Sequence, residues 1–198
     1  MAKLYFKFGA MNSSKTANAL MTKFNYEEKD KKVWLIKPAV DNRDGAEIIK
    51  SRIGLQARAE IVTAQDSILE KCPFGEIDVI ICDEAQFLTP QQVDDLKLIA
   101  AEHNIPVLCF GLMADFQTHL FPGSKRLVEL SDSIAEIKSI CKCGSKATVN
   151  ARFDGQGNIC LEGEQVFIGG NESYEGVCWK CYHRMIEEAK AKRINLHK

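Results

Sequence analysis

Lys3-Leu-Tyr-Phe-Lys-Phe-Gly9-Ala-Met-Asn-Ser-Ser-Lys15-Thr16 is the stretch from which the fold can be read. Lys3–Phe8 alternates apolar residues with lysine and suits a short strand. Gly9 to Thr16 follows as a glycine turn ending in Lys-Thr, and Ala17–Phe24 continues as a helical run. Strand, glycine turn, Lys-Ser/Thr and helix is the layout of a phosphate-binding loop. Each part has a physical job. Backbone N–H groups at a helix N-terminus point at phosphate oxygens and carry partial positive charge. Lys15 reaches the β- and γ-phosphates of a nucleotide, and the Thr16 hydroxyl meets Mg²⁺. The pattern asks for glycine just before the lysine, where this chain has Ser14. Ser14 must therefore adopt a backbone shape that glycine takes without strain.

The 198 residues are 45% hydrophobic and 27% charged, enough for one ordinary core, or one core and a small appended module. Net charge is −1, so no global basic field draws in nucleic acid or an anionic membrane, and neither is expected as a partner. No apolar run approaches the length of a membrane span. Met1–Asn12 lacks the layout of a secretory signal, and the expected compartment is the cytoplasm. Eight cysteines in a reducing compartment argue against a disulfide framework. Cys82 and Cys109 sit in apolar runs and read as small core residues; Cys72 and Cys160 stand alone.

Downstream, strands and helices alternate. Val33–Ile36 is a buried strand stopped at Lys37-Pro38. Asp41-Asn-Arg43-Asp-Gly45 has turn composition, yet lies where α/β proteins bind ligands. Residues 51–55 look irregular, Glu60–Val62 suits a strand and Gln65–Lys71 a short helix. Ile77–Cys82 is the strongest apolar run and ends in Asp83-Glu84. An apolar strand tipped by two acids fits the second nucleotide motif, in which Asp83 orders Mg²⁺ and Glu84 is available as a base. Thr89-Pro90 starts a helix to His103, and Pro106–Phe110 is a further buried strand. This alternation predicts a parallel sheet flanked by helices. Gly111–Gly123 leaves the last strand as a loop carrying Phe116 and Phe121, suited either to cover the core or to clamp a flat ring. Ser124–Ser131 is a helix, and Ser133–Ser139 leads into the last strand.

From about residue 140 the character changes. Cys141-Lys-Cys143 and Cys178-Trp-Lys-Cys181 bracket a glycine-rich polar segment, and Tyr182–Lys192 is a charged helix. Two close cysteine pairs read as a structural tetrahedral Zn²⁺ site, with His183 as an alternative ligand. A metal there pins both ends of the loop 144–177. The chain divides on this reading into a nucleotide-binding unit over 1–139 and a zinc-binding unit over 140–198.

Three functional classes use parts of this pattern. A small kinase needs a phosphate loop, a metal-ordering acid, a base and a shaped acceptor site. A nucleic-acid-stimulated ATPase is suggested by Asp83-Glu84-Ala85-Gln86, which looks like a DEAD/DEAH-type helicase motif. Such motors resemble two tandem cores with a basic channel, and this chain has length for one and no excess of positive charge. A zinc module on a vestigial nucleotide fold has no use for paired acids or an intact Lys15-Thr16. The kinase uses every feature.

Gly9–Thr16, Asp83-Glu-Ala-Gln-Phe87, Asp115-Phe-Gln117, Ile168-Gly-Gly-Asn171 and the two cysteine pairs, in this order and spacing, resemble type II thymidine kinases, the family of cellular and bacterial enzymes. The match runs from about residue 3 to about residue 185. The resemblance implies a RecA-like α/β domain with a small zinc-bearing lasso, ATP–Mg²⁺ as donor and deoxythymidine as acceptor. It also implies a homotetramer and feedback by thymidine triphosphate. By position, Glu84 matches the general base. Gly9, Ala10, Met11, Asn12, Ser13, Ser14, Lys15, Thr16, Asp83, Glu84, Ala85 and Gln86 match the ATP site, joined by Asp41 and Arg43 from a family Asp-x-Arg near the phosphates. Met11, Phe87, Leu112, Phe116 and Phe121 fall where the family packs thymine. Gln165, Phe167 and Gly169 fall on the lasso that bonds the base, and Tyr174 falls near the sugar. Cys141, Cys143, Cys178 and Cys181 match the zinc ligands, the C-x-C spacing being shared with bacterial members.

Overall fold

In the computed structural model the described residues are 1–40, 47–166 and 174–196, the last four as backbone only. Asp41, Arg43, Phe167 and Gly169 lie outside them. The strands are β1 (Leu4–Phe8), β2 (Val33–Pro38), β3 (Ile48–Lys50), β4 (Gln56–Arg58), β5 (Glu60–Val62), β6 (Val79–Cys82), β7 (Val107–Gly111), β8 (Ser133–Glu136), β9 (Val149–Arg152) and β10 (Tyr174–Val177). The helices are α1 (Lys15–Glu27), α2 (Ile68–Lys71), α3 (Pro90–Glu102), α4 (Pro122–Leu130) and α5 (Trp179–Leu196).

Six strands form one sheet in the order β5-β2-β6-β7-β1-β8, each pair parallel. The two central strands, β6 and β7, are apolar at every position because both faces are covered. Phe6, Ile36, Ile80, Cys82, Val107 and Cys109 meet α3 and α4 on one face. Leu35, Ile81, Leu108 and Phe110 meet Ala19 and Leu20 of α1 on the other. Cys82 and Cys109 are thus buried core residues paired across β6 and β7. Every parallel strand in this sheet ends on the same side, where Gly9, Asp83 and Gly111 leave it.

Local chemistry sets the boundaries. Thr89 accepts from Gln92 N while Gln92 Oε1 accepts from Thr89 N, a reciprocal cap with Pro90 in the first turn of α3. Helix α1 starts at Lys15, earlier than its apolar periodicity suggests, because Ser14 turns the chain directly into it. Pro122 likewise starts α4. Ser133–Glu136 does not lead to the last strand of the sheet but is that strand, paired with β1. Residues 51–55, irregular by composition, are the tip of an antiparallel hairpin of β3 and β4. The hairpin is packed down by Ile49, buried against α1, and by Lys37, fully buried, whose Nζ donates to Ile48 O at 2.8 Å.

Beyond the sheet, β9 and β10 pair antiparallel and carry a third apolar cluster with Cys141, Val149, Ala151, Val177 and Cys178 at its centre. This ribbon docks on the phosphate loop. Asn150 is buried; its Oδ1 accepts from Met11 N at 2.8 Å and its Nδ2 donates to Ala114 O at 2.7 Å. At Gly176 the two backbones approach so closely that a Cβ would stand 2.5 Å from Met11 O. Gly176→Ala is therefore expected to lower unfolding stability by about 1–3 kcal/mol in urea titration, the usual range for overpacking a tight contact. A variant as stable as the parent would show that ribbon and loop are not in register as described.

Candidate active site

The loop between β1 and α1 wraps a cavity. Asn12 and Ser14 both have positive φ, 66° and 60°. Ser14 thus takes the left-handed backbone that the missing glycine would have taken, at a cost of about 1–2 kcal/mol for an L-residue. Lys15 is nearly buried; its Nζ donates to Ala10 O at 3.0 Å and to Ser13 Oγ at 3.4 Å, folding over the loop. The Thr16 hydroxyl lies beside the Asp83 carboxyl and favours its charged form. A solvent-open cleft is lined by 11–17 of this loop, by 49–53 of the hairpin, and by Asp83 and Glu84. Gly9 and Ala10 line a second cavity instead, and Ala85 and Gln86 are buried beside the strand ends.

Glu84 directly follows buried Asp83 at the tip of β6 and has φ 51°. A non-glycine residue held in this region stores strain, and it opens the 3-10 turn Ala85–Phe87. Gln86 fixes it: Nε2 donates to Glu84 Oε2 at 2.5 Å, and Gln86 Oε1 accepts from Leu112 N at 3.0 Å. Gln86 thus joins the acid to the start of the aromatic loop.

That loop brings most of the expected ring-packing residues together. Phe87 and Phe121 meet edge to face at 5.7 Å. Leu112, Phe116 and Phe121 are buried. Ser124 Oγ donates to Leu112 O at 2.6 Å, and Tyr182 OH donates to Phe116 O at 2.7 Å. Gln165 Nε2 donates to Asp115 Oδ2 at 2.9 Å, next to Phe116, and Tyr174 pairs across the ribbon with Arg152. Met11 lies in the lining of the phosphate cleft, and its N–H is tied through Asn150 to Ala114 of the loop after β7. Two residues went unread in the sequence. Asn150 is one. Arg152 is the other: its guanidinium lies 4.1 Å from the Phe116 ring centroid, while Nη1 donates to Glu164 O at 2.9 Å and Nη2 to Glu162 O at 3.4 Å. It holds the loop before residue 165 against the aromatic ring. An arginine and an asparagine in a polar strand carry no local signal of such contacts.

The Sγ atoms of Cys141, Cys143, Cys178 and Cys181 all lie within 4.8 Å of one another, with Cys143 and Cys178 at 3.5 Å. A disulfide needs about 2.05 Å, whereas four thiolates about 2.3 Å from one ion stand roughly 3.8 Å apart. The donor set and spacing fit a tetrahedral soft-metal site. Without a cation the four repel a shared ionised state: Ser145 draws the Cys143 thiol down to about 6, while hydrogen bonding to Cys178 and its neighbours pushes Cys181 up to about 12. His183 is exposed and outside the cluster.

With this geometry in place, comparison with known proteins is decisive. The thymidine kinase family description matches residues 2–182. A thymidine kinase of Chromobacterium violaceum is 46% identical over 183 residues, 92% of this chain and 99% of that protein. One from Shewanella oneidensis is 40% identical over 190 residues, 94% of this chain and 99% of that protein. The chain belongs to the thymidine kinase family. A solved Pif1 helicase complex overlaps 68% of this chain and 39% of its own at TM-score 0.39 and 16% identity, too loose a likeness to bear on activity. Among the described residues no helix is long and apolar enough to cross a membrane.

In this member of the thymidine kinase family, Asp83 is fully buried and its carboxyl is pushed up to about 7, first by desolvation and then by the Glu84 carboxylate; Thr16 and Lys15 oppose the shift. The folded protein therefore holds that proton more tightly than the unfolded chain. Its contribution to stability is present below the ordinary carboxylate value of 3.8 and is lost as pH rises through about 7. Asp83→Asn should melt above the parent at pH 8 in ligand-free protein, with the gap shrinking steadily towards pH 5. A gap independent of pH, or of opposite sign, would show that Asp83 is not a strained buried acid.

Proposed function

We propose that this chain catalyses transfer of the γ-phosphoryl group of ATP to the 5′-hydroxyl of deoxythymidine, a salvage step in the cytoplasm. The supporting observation is the position of Glu84: it lines the phosphate cleft and is bonded through Gln86 to the loop of Leu112, Phe116 and Phe121. One carboxylate thus stands between a site suited to a triphosphate and a site suited to a flat ring.

On this reading the loop amides and Lys15 hold the donor phosphates and stabilise charge that spreads over the transferring group. Thr16 and Asp83 would hold Mg²⁺, which supplies charge neutralisation at the phosphate oxygens. Glu84 accepts the proton of the 5′-hydroxyl as the new P–O bond forms. Met11, Phe87, Leu112, Phe116 and Phe121 pack the thymine ring, and residues 165–169 read its polar edge with main-chain atoms, Tyr174 lying near the sugar. Asp41 and Arg43 act near the phosphates. The four cysteines hold Zn²⁺, making 140–198 a structural unit beside the nucleotide-binding unit 1–139. We further propose assembly as a homotetramer and inhibition by thymidine triphosphate, which would span both halves of the site.

Labelled γ-phosphate offered from ATP to a panel of nucleosides tests the proposal: label on thymidine supports it, while ATP hydrolysis stimulated by nucleic acid with no nucleoside product would favour the helicase-like reading. Glu84→Gln should lose about 10²-fold or more in turnover with little change in ATP binding; near-normal turnover would remove Glu84 as the base. Stripping metal from the cysteines should abolish thymidine binding before the ATP-binding unit unfolds. Unchanged thymidine affinity in metal-free protein would refute the pinned loop.

A further inference from the structure

We propose that Arg52 is a catalytic residue, supplied in cis from the tip of the β3–β4 hairpin to contact the γ-phosphoryl group as it moves. The proposal rests on the reading of the chain as a thymidine-phosphorylating kinase. It concerns 49–53, the hairpin residues in the lining of the phosphate cleft.

Four observations carry it. First, 49–53 line the same cleft as Lys15, Thr16, Asp83 and Glu84. Second, the hairpin is anchored rather than draped. Ile49 is buried against Ala19 and Leu20, and the buried Lys37 amine holds Ile48 O. Ala59 N donates to Glu47 O at 2.8 Å, closing the base. Third, the tip is locked on itself. Ser51 is buried, its N donates to Leu55 O at 2.8 Å, its Oγ accepts from Leu55 N at 3.0 Å, and Gly54 N donates to Ser51 O at 3.0 Å. Gly54 takes φ 90°, which the tight turn requires. Arg52 thus stands on a preorganised turn, so that its side chain alone is ordered on contact. Fourth, Arg52 lines the cleft, is exposed, and forms no hydrogen bond or ion pair with any described residue, whereas Arg58 on the same hairpin is paired with Glu47 at 2.7 Å. An uncommitted guanidinium in the lining of a phosphate site has the planar donors that match phosphoryl oxygens; neighbouring Lys50 offers a point charge in the same lining.

The charge pattern gives it a task. Lys15, Arg52, Asp83 and Glu84 all line the one cleft. Positive charge beside the acids is needed where the terminal phosphoryl group develops charge on its equatorial oxygens. In the step, the bond from the γ-phosphorus to the bridging oxygen breaks and ADP leaves with the electron pair. The 5′-oxygen forms the new bond to phosphorus, and its proton passes to Glu84. Arg52 donates hydrogen bonds to the equatorial oxygens and gives up no proton.

Steady-state transfer of labelled phosphate to thymidine tests it with Arg52→Ala and Arg52→Lys, alongside melting temperatures. Arg52→Ala should lower kcat by about 10³-fold, the low end for arginines of this kind, with thymidine KM within about threefold of the parent. Arg52→Lys should recover little, and added guanidinium ion should raise turnover of Arg52→Ala several-fold while leaving the parent unchanged. The proposal is overturned by a kcat for Arg52→Ala within about threefold of the parent. It is equally overturned by a loss that Lys restores, or by a loss that tracks a lowered melting temperature without guanidinium rescue. A parent enzyme that labels no thymidine would instead overturn the proposed function itself.

Discussion

Three separate stretches of the chain meet on one buried amide. Asn150 takes a hydrogen from Met11 in the phosphate loop and gives one to Ala114 in the loop after β7, while its own strand belongs to the cysteine ribbon. A buried amide satisfied on both sides is worth keeping, because removing it strands an N–H and a carbonyl with no water to replace it. The close approach of Gly176 to Met11 permits the same contact from the neighbouring strand. This junction sets the ribbon against the end of the sheet where Gly9, Asp83 and Gly111 emerge, so that the loop held by Arg152 lies beside the aromatic residues.

The electrostatics follow from the same convergence. One strand, β6, delivers two adjacent acids to its tip, and burial makes Asp83 costly to ionise alone. Thr16 and Lys15 offset part of that cost; a divalent cation with its nucleotide would offset more. Glu84 is held in strained backbone by its place between β6 and the following turn, and Gln86 restrains its carboxylate. Strain of this kind is kept where geometry matters more than stability.

Much of this was legible in the chain. The strand–loop–helix start, the apolar strand tipped by Asp83-Glu84 and the helix begun by Thr89-Pro90 all follow from local pattern, and the four cysteines come together as their pairing implied. The β3–β4 hairpin was not legible, because three-residue strands such as Ile48–Lys50 and Gln56–Arg58 have no room for a period. Arg52, Asn150 and Arg152 matter through partners or surfaces far away in sequence, and nothing beside them announces it. Likewise, the order of the sheet follows from packing of α1 against α3 and α4 on opposite faces rather than from any single strand.

The central claim is that one carboxylate serves both halves of the site. A crystal structure with thymidine and a non-hydrolysable ATP analogue bound together measures this directly. The account predicts a Glu84 carboxylate oxygen about 2.6–3.2 Å from the sugar 5′-oxygen, with the terminal phosphate in the cleft beyond it. A 5′-oxygen lying well outside hydrogen-bond reach of Glu84, with another side chain in its place, would contradict it.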